Sequence, residues 1–184
     1  FWIVRTDMSG NKLWDRTFGG AQEDYLQAIK QTADGGFILA GRSNSGISGS
    51  KTQANRGTIG VTWDYWVVKV NASGTKQWDQ TYGGFDDDQL FSAQQTSDGG
   101  YVFGGYSNSG ITGEKSQASQ GLDDYWMVKT DANGVKQWDK TFGGTSADQL
   151  QMLIQTTDGG YLLGGGSASG ANGDKSQASR GNFD

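Results

Sequence analysis

A single pattern, met three times over, constrains this chain more than any other feature. An aromatic and aliphatic strand ends in a glycine pair in YVFGGYSNSG at 101–110, and DDYWMVKTDANGVKQWDK follows at 123–140. Trp2, Trp66 and Trp126 correspond, as do Trp14, Trp78 and Trp138. The glycine pairs at 19–20, 83–84 and 143–144 and the Asp-Gly-Gly turns at 34–36, 98–100 and 158–160 keep the same step. The period is 64 residues and then 60, because TIGVTWD (58–64) stands where the next repeat has LDD (122–124). Self-similarity at a fixed period means a repeat architecture, in which each unit buries its apolar face against its neighbours. We divide the chain into repeats 1–64, 65–124 and 125–184.

Each repeat holds four strand candidates. WIVRT, WVVKV and WMVKT (2–6, 66–70, 126–130) are short, apolar and rich in β-branched residues, as a strand buried on both faces would be. Turns at 8–10, 72–74 and 132–134 lead to KLWDRTF, KQWDQTY and KQWDKTF (12–18, 76–82, 136–142), which alternate in polarity. Trp14, Trp78 and Trp138 read as core between units rather than as sugar-stacking surfaces. After the glycine pair come YLQAIKQT, QLFSAQQT and QLQMLIQT (25–32, 89–96, 149–156). An Asp-Gly-Gly turn then leads to FILAGRS, YVFGGYS and YLLGGGS (37–43, 101–107, 161–167). Asp-Gly and Ser/Asn-Gly pairs are hairpin turn chemistry, since glycine takes positive φ without steric cost. The prediction is an all-β chain.

Composition removes whole classes of function. The chain has no Cys and no His, so disulfides, zinc-thiolate sites, imidazole bases and Ser-His-Asp catalysis are all excluded. A net charge of −5 disfavours nucleic acid, whose phosphates need clustered Lys and Arg. No apolar run reaches the roughly 18 residues of a membrane-spanning helix, so no membrane insertion is expected. Thirty-one glycines without a proline argue for many tight turns rather than a linker.

Four antiparallel strands per repeat suggest the blades of a β-propeller. The order of strand, Asp-Gly-Gly turn, Tyr-Val-Phe-Gly-Gly, loop, Asp-Tyr-Trp strand, turn and Lys-Gln-Trp strand resembles a kelch-type blade. The longer string DYWVVK, KQWD, TYGG, TSDGGYVFGGYSNSG and KSQASQG resembles the repeats of large secreted surface proteins of gliding, type IX-secreting bacteria. The resemblance covers essentially the whole chain. It implies a kelch-like or quinoprotein-like propeller and an extracellular or cell-surface location. In the kelch phase, blades fall at about 21–83 and 85–143, with split blades at 145–170 and 1–20. The chain begins at Phe1 inside a strand pattern and stops at Asp184 where an aromatic-Trp pair is due, so we expect a piece of a longer array. Three blades are fewer than the usual minimum of about four. We expect either further repeats or a homo-oligomer of two chains completing a six-bladed ring. A pseudo-threefold β-trefoil or β-prism is the alternative fold.

Antiparallel order puts the long polar loops at 44–64, 108–124 and 168–184 at one end of the molecule, beside AQED (21–24), FDDD (85–88) and TSAD (145–148). Ligands of rigid scaffolds bind at such loop-rich faces. Trp63 lies in the insertion and has no counterpart in the other repeats, which makes it a contact candidate. Asp86, Asp87 and Asp88 form an acidic run. With Glu114, Asp123 and Asp124 they offer oxygen ligands of the kind Ca²⁺ takes, although no D-x-D-x-D-G spacing is present. The competing reading has Asp24, Asp88 and Asp148 capping backbone N–H groups of the loops, and Asp64 and Asp124 acting as turn residues. Three adjacent Asp do not make the paired carboxylates across a cleft that glycoside hydrolysis needs. Lys51, Lys115 and Lys175, in the recurring KxQA, are expected to order the loops by hydrogen bonds and salt bridges between neighbouring blades.

The function expected from these features is a non-enzymatic module for adhesion, scaffolding or binding of a protein or carbohydrate ligand, with calcium the one cofactor candidate. The alternatives are a propeller accompanying a hydrolase or quinone-dependent domain outside the segment, and a threefold carbohydrate-binding lectin.

Overall fold

The computed structural model describes residues 1–184 and is all-β, with twelve antiparallel strands in four sheets and no helix. The first sheet has two strands, β1 (Trp2–Thr6) and β2 (Lys12–Thr17). The second has four in chain order, β3 (Asp24–Gln31), β4 (Phe37–Ser43), β5 (Asp64–Val70) and β6 (Lys76–Tyr82). The third repeats this with β7 (Asp88–Gln95), β8 (Tyr101–Ser107), β9 (Asp124–Thr130) and β10 (Lys136–Phe142). The last has two, β11 (Asp148–Gln155) and β12 (Tyr161–Ser167).

The turns form because each starts with a residue that can bond its own backbone. Asn71 Oδ1 accepts from Ser73 N (3.0 Å) and Thr75 N (2.9 Å), and Asp131 Oδ1 does the same for Asn133 N and Val135 N at 2.8 Å each. Gly74 and Gly134 then take φ of 78°. Each β3-type strand also carries a bulge, between Leu26 and Ala28, Leu90 and Ser92, and Leu150 and Met152. The extra residue bends the strand and turns Phe91 onto Tyr106, with ring centroids 5.4 Å apart.

The sheets stack face to face in series, and period-two alternation supplies both faces of the inner ones. Leu39, Trp66 and Val68 face the first sheet, where Phe1, Ile3 and Phe18 meet them. Ile38, Ala40, Tyr65 and Val67 point the other way, onto Leu90, Ala93, Phe103 and Trp126 of the third sheet. Val102 and Met127 then meet Leu153 of the fourth, with Leu163 packed alongside. Every residue of β5 is buried. This double-sided burial is the reason for its unbroken apolar pattern. It also differs from the trefoil and prism alternative, whose sheets keep one face in solvent. The Trp positions that read as core do join sheets. Trp14 meets Phe37, Trp78 meets Tyr101 and Trp138 meets Tyr161, edge-on at 5.7 to 6.4 Å.

The sheets do not close on one another within these residues. β1 pairs only with β2, and β12 only with β11. No helix is long and apolar enough to cross a membrane.

Candidate functional site

The long loops and the short β2–β3-type connections lie together at one end of the stack, and side chains of the former satisfy the backbone of the latter. In the third sheet, Gly84, Phe85, Asp86 and Asp87 donate their N–H groups to Asp88 Oδ2, Thr112 Oγ1, Ser109 Oγ and Asn108 Oδ1 at 2.6 to 3.0 Å. The second sheet repeats the set with Asp24, Ser48, Ser45 and Asn44. This explains why SNSG recurs: its polar side chains stand in for a missing strand partner. The result is a loop surface ordered by its own hydrogen bonds.

The six acidic candidates do not form one site. Asp86 is exposed, with its backbone bonded to Ser109. Asp87 Oδ1 accepts from Trp63 N at 3.0 Å. Asp88 is fully buried. Glu114 is held by Arg56 in a forked pair, Nη2 to Oε1 at 2.8 Å and Nε to Oε2 at 2.9 Å, which ties loop 44–63 to loop 108–123. Asp123 Oδ2 accepts from Gln149 Nε2 at 2.7 Å. Asp124 is fully buried and accepts from Gln120 N. No group of three or more Asp or Glu side chains is gathered so as to hold a metal ion.

The recurring lysines make hydrogen bonds as expected, Lys175 Nζ donating to Ser167 Oγ at 2.6 Å and Ser179 Oγ at 3.0 Å, but not the expected salt bridges between sheets. Lys51 and Lys115 are buried and make no salt bridge. Each folds back under its own sheet. Lys51 Nζ donates to Thr81 Oγ1 at 2.5 Å and sits 5.6 Å from the Trp66 ring centre, and Lys115 Nζ lies 5.1 Å from that of Trp126. Burial lowers the Lys51 pKa to about 8 and lowers that of Lys115 in the same way. A chain long enough to reach beneath Trp, with one charge at its tip, places lysine here. The salt bridge between neighbouring sheets is instead that of Arg56 and Glu114.

Trp63 is brought into a cluster that motif reading did not find. Its ring lies 5.4 Å from that of Tyr25, and the Arg42 guanidinium sits 5.3 Å from the Trp63 centroid and 5.2 Å from the Tyr25 centroid. Arg42 Nη1 donates to Gln89 Oε1 at 2.5 Å, and the Tyr106 hydroxyl donates to the same oxygen at 3.1 Å. Arg42 Nε is buried without a partner. Burial and then the charge of Asp123 raise the Tyr106 pKa, with Asp87 adding to them and Arg42 opposing. Tyr25 is 46% exposed, so the cluster opens to solvent. One signal could have found it. Tyr25 stands where the other repeats have Gln89 and Gln149, and Arg42 where they have Tyr106 and Gly166. These are places where otherwise matching repeats diverge. The chain matches no known family model and none of the curated proteins with which it was compared.

Proposed function

We propose that the chain is a segment of a kelch-like or quinoprotein-like β-propeller, its sheets being blades, and that it serves as a non-enzymatic extracellular or cell-surface binding module. The ligand is a carbohydrate, taken at the loop-rich end over Tyr25, Arg42 and Trp63. The observation that supports this reading is the pair of aromatic rings around the Arg42 guanidinium, with Tyr25 and Arg42 at strand ends and Trp63 on the ordered loop beside them. Aromatic faces stack on the apolar face of a sugar ring, while Arg42, Asp87, Gln89 and Asp123 offer donors and acceptors for hydroxyls.

Binding of the purified chain and of its Trp63→Ala and Arg42→Ala variants to an oligosaccharide array tests it. The expected result is retention by the native chain and a loss of at least tenfold in both variants, with unchanged far-UV circular dichroism. An array that stays blank for the native chain, or turnover of a sugar substrate by the pure protein, would overturn the reading.

A further inference from the structure

Five large apolar side chains stand out into solvent on the ordered loop end. Ile47, Ile59, Val61, Phe85 and Ile111 are each 57 to 68% exposed. Their backbone is held in place. Val61 N and Thr62 N donate to the Thr58 carbonyl at 3.0 Å each, and Gly60 N donates to the Asn44 carbonyl at 2.8 Å. Ile59 and Val61 thus ride on one turn. A Cβ on Gly46 would lie 2.9 Å from Ile59 Cδ1, which sets that side chain against the backbone next to Ile47. Phe85 N donates to Thr112 Oγ1 at 3.0 Å, next to Ile111, and a Cβ on Gly57 would lie 2.5 Å from the Phe85 carbonyl oxygen. The five residues therefore run from loop 44–63 across the 83–87 connection to loop 108–123, between the two four-stranded sheets. The row does not depend on what stacks against the outer two sheets.

Three carboxylates border the row with no cation to pair them. Glu23 N donates to Asn44 Oδ1 at 2.9 Å, which puts Glu23 beside the Ile59–Val61 turn, and Asp86 and Asp87 directly follow Phe85. Glu23 and Asp86 are exposed, Asp87 is half-buried, and none is in a salt bridge. The bases of the two loops are engaged or hidden, Arg56 by Glu114 and Lys51 and Lys115 by burial. The fold does not need this character. The third repeat has Thr145, Ser146 and Ala147 in place of Phe85, Asp86 and Asp87, and Ala171 in place of Ile111. It makes the same backbone bonds, Thr145 N donating to Asn172 Oδ1 at 2.8 Å and Ser146 N to Ser169 Oγ at 3.0 Å. Apolar surface and negative charge are thus gathered where the first two repeats meet, for a reason other than folding.

We infer that this face docks a partner protein through a segment in which Lys or Arg residues stand among large apolar side chains. Exposed apolar side chains on a rigid backbone leave water on docking at little cost in order. The bordering carboxylates attract cations, speed encounter and reject acidic partners. Those charges decide between occupants. A second copy of this chain would bring the same three carboxylates against each other, and an anionic membrane would be repelled. The aliphatic side chains offer a sugar no flat ring face of the kind at Tyr25 and Trp63. The inference adds a second ligand class to the module and does not rest on sugar binding.

Fluorescence polarisation with a short labelled peptide of Leu, Lys and Ser in equal parts tests the docking. Saturable binding with Kd below about 100 μM is expected. Replacing every Leu by Ser, or every Lys by Glu, should weaken it by about tenfold or more. The Phe85→Thr/Ile111→Ala and Glu23→Ala/Asp86→Ser variants borrow the residues of the third repeat. Their circular dichroism should be unchanged while affinity falls by about fivefold or more. Val135, 58% exposed at the opposite end, is the control, and Val135→Ser should bind as the native chain does. Native affinity in both pairs of variants, equal binding of all three peptides, or no saturation by about 1 mM would overturn the inference. So would dimerisation, or adsorption to phosphatidylserine vesicles, that Phe85→Thr/Ile111→Ala abolishes. Sugar binding without peptide binding would leave the proposed function standing while this inference failed.

Discussion

Asp64 and Asp88 meet across Gly83, both fully buried and each with its Oδ1 free of any hydrogen-bond partner. Asp64 Oδ2 takes the Arg56 N–H and Asp88 Oδ2 takes the Gly84 N–H, each at 2.6 Å. A Cβ on Gly83 would overlap Asp64 Oδ1 and lie 2.9 Å from Asp88 Oδ2, so glycine is required for the two carboxyls to approach. Burial pushes the Asp64 pKa up to about 8 and that of Asp88 to about 7, and the charge of Asp88 adds to the rise at Asp64. Lys51 and Arg56 beside Asp64, and Lys115 beside Asp88, offset part of the effect. Asp124 repeats the relationship with Asp148, its pKa raised by burial first and by that neighbour's charge next.

A pH dependence follows from these groups. Their folded pKa values lie above the ordinary carboxylate value, so the folded state holds more protons than the unfolded state between them. The stability they contribute is complete below about pH 4 and is lost as pH rises through about 7 to 8. Asp34 and Asp98 act in the opposite sense, because hydrogen bonds from Lys69 and Lys129 lower their pKa values and cost stability only in strong acid. The melting temperature is therefore expected to be highest near pH 4 and to fall by a few degrees by pH 8. The Asp64→Asn/Asp88→Asn variant keeps the shapes and removes the charges, and should flatten that slope by at least half. Calorimetry at five pH values decides it, and parallel slopes in the two proteins would rule the account out.

Gly105 offers a sharper steric prediction. A Cβ there would overlap the Gln89 carbonyl and lie 2.8 Å from the Tyr65 hydroxyl oxygen, and neither neighbour can yield without moving a buried strand. Gly105→Ala is expected to destabilise the chain by about 2 kcal/mol. Gly110 has nothing within 4 Å and no positive φ, so Gly110→Ala should stay within about 0.5 kcal/mol of the native value. Urea unfolding of both variants checks the contrast, and equal midpoints would contradict it.

Much of the fold was legible because the repeat states its own strand and turn positions. The Tyr65–Trp66 strand read as buried on both faces and is so, since an unbroken Val-Val run has no polar side to give to water. The glycine pair at 104–105 was visible as a repeat mark, and the structure gives its reason, since a Cβ at Gly104 would run into Leu153. What stayed hidden was relational. The bulge at Phe91 leaves no mark in composition, because one extra residue shifts alternation only once a partner strand is known. The buried lysines were misread because Lys51 carries a charge, and sequence alone does not show that Thr81 and the Trp66 face would receive it. Trp63 was found as an exception to the repeat. Tyr25 and Arg42 were equally exceptional, but lay inside strands where differences look like ordinary drift.

Arg56 and Glu114 form the ionic link between consecutive long loops, half-shielded and forked. Burial of this degree lifts such a pair above a fully exposed one, whose value lies near zero to 1 kcal/mol. A double-mutant cycle with Arg56→Ala and Glu114→Ala is expected to give a coupling of about 1 kcal/mol at low salt, shrinking by about half in 0.5 M NaCl. Coupling indistinguishable from zero at low salt would show the two loops to be held by their backbone bonds alone.

Tyr65 and Tyr82 test how far the joint between sheets relies on hydroxyls. Tyr65 donates to the Trp126 carbonyl at 2.9 Å and Tyr82 to the Gly134 carbonyl at 2.6 Å, both across the sheet boundary and both buried. The first sheet has Phe1 and Phe18 at the same repeat positions, so a ring without a hydroxyl fits this space. Tyr65→Phe and Tyr82→Phe should then keep the packing and lose one hydrogen bond each, at about 1 kcal/mol apiece. The two bonds lie on different strands of the same interface, and their costs should add to within about 0.5 kcal/mol. Burial raises both phenol pKa values, so ultraviolet titration of the native chain should show these two tyrosines ionising only on alkaline unfolding. A Tyr65→Phe variant as stable as the native chain, with the Tyr65 signal titrating near pH 10 in the folded state, would show that the hydroxyl faces solvent rather than Trp126.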